Sequence, residues 1–204
     1  LISLTVTVIL VIRIPATYFL DRPADASRPL PVRWGPLRIL KNLLKEGIPV
    51  RDLPTIIETI ADNASRTKDA DVLTEAVREA LASTITHTFS QDGKLKVLVL
   101  DPELDEAIAR SLIKTDEGIQ ITLDPKKALA MINSLQEQCT RLSDEGVQPV
   151  VLTSPSVRLY FKKLIERQVQ NCAVISHSEV TALSKLESLG VVRADAGSQA
   201  RVTG

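Results

Sequence analysis

Apolar positions along residues 36–89 recur at spacings of three and four, the period of helices that bury one face. Leu40, Leu43 and Leu44 stripe a first helix that Pro36 can open, and Gly47 stands where a left-handed C-terminal cap is wanted. Pro49 then biases Ile48 to extended geometry. Asp52 is placed to cap a second helix, and Pro54 falls in its first turn, where a missing N–H costs nothing. Ile56, Ile57, Ile60 and Ala61 form the apolar face of that helix. Asp69 caps a third, whose face is Val72, Leu73, Ala76, Val77, Ala80, Leu81 and Ile85. Three helices with short connectors predict a small bundle, and Thr84, Thr86 and Thr88 prepare a change of period.

After the turn signal Gln91-Asp92-Gly93 the pattern becomes strand and helix in alternation. Residues 95–100 are a short apolar strand. Asp101-Pro102 ends it and opens a helix bearing Leu104, Ile108 and Leu112. The device recurs at Asp124-Pro125, after a strand at 119–123, with a helix carrying Leu129, Ile132, Leu135 and Cys139. It recurs again at Ser154-Pro155, after a strand at 150–153, with a helix carrying Val157, Tyr160, Phe161, Leu164 and Ile165. A fourth strand is expected at 172–176 and an edge strand at 186–192. The predicted fold class is therefore mixed, α+β or α/β: a small helical bundle followed by a sheet with helices packed on it.

The first 35 residues read differently. Residues 1–12 are uncharged and apolar, but a dozen residues fall short of the roughly 20 that cross a bilayer, and no signal-peptide pattern surrounds them. Residues 15–36 hold five of the chain's eleven prolines and read as linker. The expected organisation is an apolar segment and proline-rich linker at 1–35, a helical subdomain at 36–89, an α/β subdomain at 90–192 and a polar tail at 193–204.

Composition narrows the function. The chain has 204 residues, 44% of them hydrophobic but only 3% aromatic, so its interior is built from Leu, Ile, Val and Ala. Formal net charge is zero, and no global field argues for nucleic acid or an anionic membrane surface. Cys139 and Cys172 lie in apolar contexts without CxxC spacing or a neighbouring His, which suits two buried thiols.

Candidate chemistry is sparse. Asp101 and Asp124 stand at the carboxyl ends of strands, where α/β enzymes place catalytic carboxylates, but an Asp before a helix that opens with Pro is what capping requires. Each strand–helix junction carries Pro where a phosphate-binding loop would carry Gly. Ser176-His177-Ser178 places a His between hydroxyls, yet neighbours along a strand point to opposite faces. His87 is alone, and no His, Cys and carboxylate cluster has metal spacing. No catalytic residue, metal or cofactor is expected.

The wording of the helical stretch goes further. The runs LKNLLKEGIPVRDLPTIIETIAD and TKDADVLTEAVREALASTIT, followed by LKVLVLDPELDEAI, IQITLDP, PVVLTSPSVRLYFKKLIER and VISHSEV, closely resemble the cytoplasmic domain of the FHIPEP export-gate family of type III secretion systems. The resemblance covers some three quarters of the chain, to about Val192, and leans to the flagellar over the virulence branch. It implies a non-enzymatic docking module at the cytoplasmic face of the bacterial inner membrane, assembled as a homo-oligomeric ring. Its implied partners are export chaperones with their substrates and other export-apparatus proteins, with no nucleic acid. Membrane contact is implied only through an N-terminal half that precedes this stretch, and the chaperone-docking groove lies largely in subdomains before the helical bundle. This chain is accordingly expected to be a fragment. Under the resemblance Lys45, Glu46, Arg51 and Asp52, which border the central turn, become candidate subunit contacts; otherwise they are a solvated rim. The competing reading is a small α/β enzyme acting on a phosphorylated or carboxylated metabolite, which needs a concave polar pocket at the strand carboxyl ends.

Overall fold

The structure is a computed structural model that describes residues 35–115, 118–169, 171–182 and 184–194. The apolar run at 1–12, the proline-rich stretch that follows it and the tail beyond 194 lie outside them. Among the described residues four helices come first: α1 (Gly35–Lys45), α2 (Leu53–Asn63), α3 (Ala70–Ala80) and α4 (Ala82–Phe89). Then follow β1 (Lys94–Leu100), α5 (Pro102–Arg110), β2 (Leu112–Thr115), β3 (Gly118–Ile121) and α6 (Pro125–Asp144). β4 (Val150–Thr153), α7 (Pro155–Ile165), β5 (Ala173–Ser176), a 3₁₀ turn at His177–Glu179 and β6 (Lys185–Val192) complete the order.

The local signals act where they were expected. Gly47 takes a positive φ of 74°, which a side chain would strain, and so turns the chain out of α1. Asp52 accepts from the Thr55 amide, Asp69 from Asp71, Asp101 from Glu103 and Asp124 from Lys126. Each cap satisfies an amide that the helix itself leaves unpaired. Ser154 differs, for it makes no side-chain cap bond. Its amide donates instead to Asp105 on α5.

Four parallel strands form one sheet in the order β5-β4-β1-β6, with helices on both faces. On one face Leu95, Val97, Val150, Leu152 and Ile175 pack into a core with Ile39, Leu43, Ile56, Leu73, Val77, Ile85 and Phe89 of α1–α4. On the other, Leu98, Leu100, Val151, Val174 and Val192 meet α5, α6 and α7 through Ile108, Met131, Leu135, Phe161 and Ile165. Alternation along each strand thus feeds two cores at once, and full burial of each such side chain stabilises by about 1.5–3 kcal/mol. β6 pairs with β1 from Lys185 to Val192, with a register shift opposite Val97/Leu98. Beside it a Cβ on Gly190 would meet Gln138 Oε1 at 2.6 Å, the far end of a flexible side chain on α6 that would have to swing aside.

The structure corrects the sequence reading in several places. The third helix is two, because the chain breaks at Leu81, whose amide is shared between the carbonyls of Val77 and Arg78. The break lets Ile85 and Phe89 enter the same core as Leu73 and Val77. Val72 and Ala80 are exposed, as are Leu44, Ile57, Ala61 and Leu129. In each case the apolar stripe was drawn wider than the face the helix buries. Leu112 begins β2 and is not on α5. The strand expected at 119–123 is β3, and it pairs antiparallel with β2 as a separate hairpin outside the main sheet.

Candidate functional site

The most organised polar arrangement lies where α1, α3, α7 and the end of β5 converge. Arg78 on α3 and Arg158 on α7 are each almost wholly buried, at 1% and 0% exposure. A guanidinium can be held there only if carboxylates and carbonyls take up its donors. Arg78 donates from Nε to Glu179 Oε1 at 2.7 Å, from Nη2 to Glu179 Oε2 at 2.9 Å and to the Val174 carbonyl at 3.1 Å, and from Nη1 to Glu46 Oε2 at 2.9 Å. Arg158 forks onto Glu75, with Nε to Oε2 at 2.6 Å and Nη2 to Oε1, and reaches Glu46 Oε2 at 2.6 Å through Nη1. One oxygen of Glu46 therefore bridges both arginines.

Charge states follow from this crowding. Burial opposes ionisation of Glu46, but Arg78 and Arg158 overcome it and hold its carboxyl below the ordinary range. Burial pushes the Glu75 carboxyl up, and Arg158 and Arg78 offset that only in part. Burial works against the charge on Arg158 as well, yet Glu46 and Glu75 raise its pKa.

Two clefts flank the cluster. One, of about 510 Å³, opens at the amino ends of β4 and β5, against Gln91, Gln148, Pro149, Asn171 and Ala173. The other, of about 520 Å³, runs between α1, α3 and α7, along Asn42, Asp71, Thr74 and Lys163. Ion pairs cross this groove: Lys45 to Glu166 at 2.9 Å and Lys163 to Asp71 at 2.6 Å. Both clefts include Lys45, Glu46 and Lys162, so the cluster forms part of the wall of each.

The residues singled out by sequence fall in different places. Lys45 is exposed and paired across the groove; Glu46 is half-buried inside the cluster; Arg51 and Asp52 are exposed, with Asp52 engaged as a cap. Asp101 and Asp124 are caps, and Asp101 also meets Arg193 at 3.3 Å. Ser176 ends its strand, so the strand alternation assumed for Ser176-His177-Ser178 does not apply. The two hydroxyls meet at 2.9 Å while His177 is exposed. His87 is exposed too. Cys139 and Cys172 are free thiols in one core.

Sequence reasoning missed Arg78, Arg158, Glu75 and Glu179. A signal was present: Arg78 sits within the buried run Leu73, Thr74, Val77 and Leu81, and Arg158 lies between Val157 and Phe161. An arginine inside an apolar stripe implies an acidic partner in the core.

Comparison with known proteins agrees with this architecture. The flagellar biosynthesis protein FlhA of Bacillus subtilis is 36% identical over 166 residues, a match covering 80% of this chain and 24% of that protein. The chain thus spans about a quarter of that relative's length. The structure of the Chlamydia pneumoniae CdsV protein superposes with a TM-score of 0.72 at 34% identity, covering 78% of this chain and 46% of that one. The cryo-EM structure of nonameric EPEC SctV-C superposes with a TM-score of 0.67 at 29% identity, over 78% and 48% of the two chains. Residues 35–185 match the sequence profile of the FHIPEP family, and with these relatives the match shows that the chain belongs to that family.

Proposed function

We propose that this chain is part of the cytoplasmic platform of a flagellar type III export gate, where it helps to receive export chaperones and their substrates at the inner membrane. The observation that carries the reading is the fold shared with nonameric SctV-C and with the nonameric EscV cytosolic domain from the type III secretion system. The identity to the Bacillus subtilis flagellar protein supports the flagellar branch. Among the described residues no helix is long and apolar enough to cross a membrane, in keeping with a module that presents surface to soluble partners.

Ring contact is assigned to the rim of the central turn. Lys45, Arg51 and Asp52 supply exposed charge there, and Glu46 supports the turn from within. Arg51→Glu is expected to weaken ring assembly of a full-length gate in analytical ultracentrifugation, and an unchanged sedimentation profile would remove the rim from the interface. Chaperone capture is tested by pull-down with this chain and with a version carrying the upstream subdomains. The longer form is expected to retain more chaperone–substrate complex. Capture by neither form would sink the platform reading.

A further inference from the structure

β5 and β6 occupy opposite edges of the sheet, yet few residues join them. Ser176 is level with Leu100, since it pairs with Thr153 and Leu152 pairs with Val99. Lys185 is level with Lys94, at the other end of β1. The connection therefore crosses three strand spacings while returning along the length of β1. That is about 14 Å sideways and about 20 Å back, or roughly 24 Å along the diagonal. The nine steps from Ser176 to Lys185 reach about 30 Å when fully extended, and the 3₁₀ turn rises only about 2 Å per residue. Little slack remains. Parallel crossovers ordinarily spend a dozen or more residues and a helix on this task.

The crossover lies on the face covered by α1–α4, where Val180 packs against the core. Its own backbone supports the turn weakly, with Val180 N to His177 O at 3.4 Å. A capping box between Ser176 and Glu179 within the turn, and side chains from the helices, supply the rest. Glu179, 2% exposed, receives both forks of Arg78 and the Ser176 amide at 3.1 Å. Thr86 donates to the Glu179 carbonyl at 2.7 Å and accepts from the Thr181 amide at 3.3 Å. Behind Arg78 stands Glu46, at the end of α1.

We propose that this crossover is a taut strap whose anchor is ionic: the bond chain Glu46–Arg78–Glu179 fixes its first turn, and through the strap fixes the docking of β6 on β1. A short tether transmits displacement because it cannot absorb it. Loosening the anchor therefore frees the edge strand before the rest of the sheet responds, which makes β6 a separable unit under the control of α1 and α3.

Amide hydrogen exchange on the full chain tests this. Glu179→Gln keeps the shape of the anchor and removes its charge; Thr86→Val keeps the charge and removes the hydroxyl clasp. In both, amides of β6 are expected to exchange roughly tenfold faster or more, while the β4–β5 ladder and α6 keep their protection. Glu46→Gln, at the far end of the chain, is expected to give the same pattern with smaller amplitude. Unchanged β6 exchange in Glu179→Gln and Thr86→Val overturns the proposal. So does equal acceleration of all amides, which would make the cluster a general stability element, and so does a Glu46→Gln profile identical to wild type.

Discussion

The two faces of the sheet are sealed by different physics. Against α5, α6 and α7 the seal is mainly aliphatic, with the aromatic ring of Phe161 and two free thiols completing it. Against α1–α4 an equally apolar core is joined at its margin by Arg78, Arg158 and three carboxylates. Apolar burial is non-directional and tolerates small shifts of one layer over another. A guanidinium fork does not, since its donors fit a carboxylate in one plane. The first face holds its helices strongly; the second also fixes where they sit. That distinction suits the proposed platform role, which needs a surface of fixed shape.

Removal of Arg78 breaks the comparison most severely. Arg78→Ala strands the buried Glu179 carboxylate, and urea unfolding is expected to show a loss of about 3–5 kcal/mol. Phe161→Ala on the other face is expected to cost a similar ~3–5 kcal/mol by leaving a cavity. The mechanisms separate on adding Glu179→Gln, which recovers stability in the Arg78→Ala background and none in Phe161→Ala.

A second variant sharpens the contrast between strength and placement. Replacing Glu75 with Leu together with Arg158 with Met removes the Arg158–Glu75 fork and the Arg158 bond to Glu46, leaves Glu46 paired with Arg78, and is expected to hold stability or raise it by about 1–4 kcal/mol. A loss as large as that of Arg78→Ala would show that the pair contributes strength as well as position. Smaller again is a cap: Asp124→Ala is expected to cost about 1 kcal/mol in the same assay, on a feature that neither core shares.

The least effect near neutrality concerns pH. Glu46 is held below its ordinary value of 4.5, so its contribution is complete above that value and is lost as pH falls through the lower folded one. Glu75, raised, has the opposite sign: its contribution is present in acid and lost as pH rises through its folded value. Melting temperature followed into acid is expected to fall less steeply for Glu46→Gln than for wild type. An identical acid limb would disconnect Glu46 from the acid response.

What could be read from the sequence was what a few neighbouring residues decide. Gly47, the caps at Asp52, Asp69, Asp101 and Asp124, and the strand–proline–helix junctions each act within a turn of where they stand. That Arg78 and Arg158 need acidic partners was legible from their places in apolar stripes, but which carboxylates they meet was not, because the partners lie far apart: Glu46 and Arg158 are separated by 112 positions, Arg78 and Glu179 by 101. The hairpin β2–β3 was misplaced because an apolar run carries no mark of which sheet it joins. The break at Leu81 had no glycine or proline to announce it; the demand of one core on both Val77 and Phe89 made it.

The pairing of β1 with β6 bears on how the molecule is made. β1 lies inside the sheet, yet its partner on one side is synthesised about ninety residues later. As the polypeptide leaves the ribosome, Val97 and its neighbours offer an open hydrogen-bonding edge until residue 192 has emerged, at translation speeds several seconds or more after β1 itself. The nascent chain is most exposed to wrong partners in that interval, and the lysines at 94 and 96 on the waiting strand are charges of the kind that discourage them.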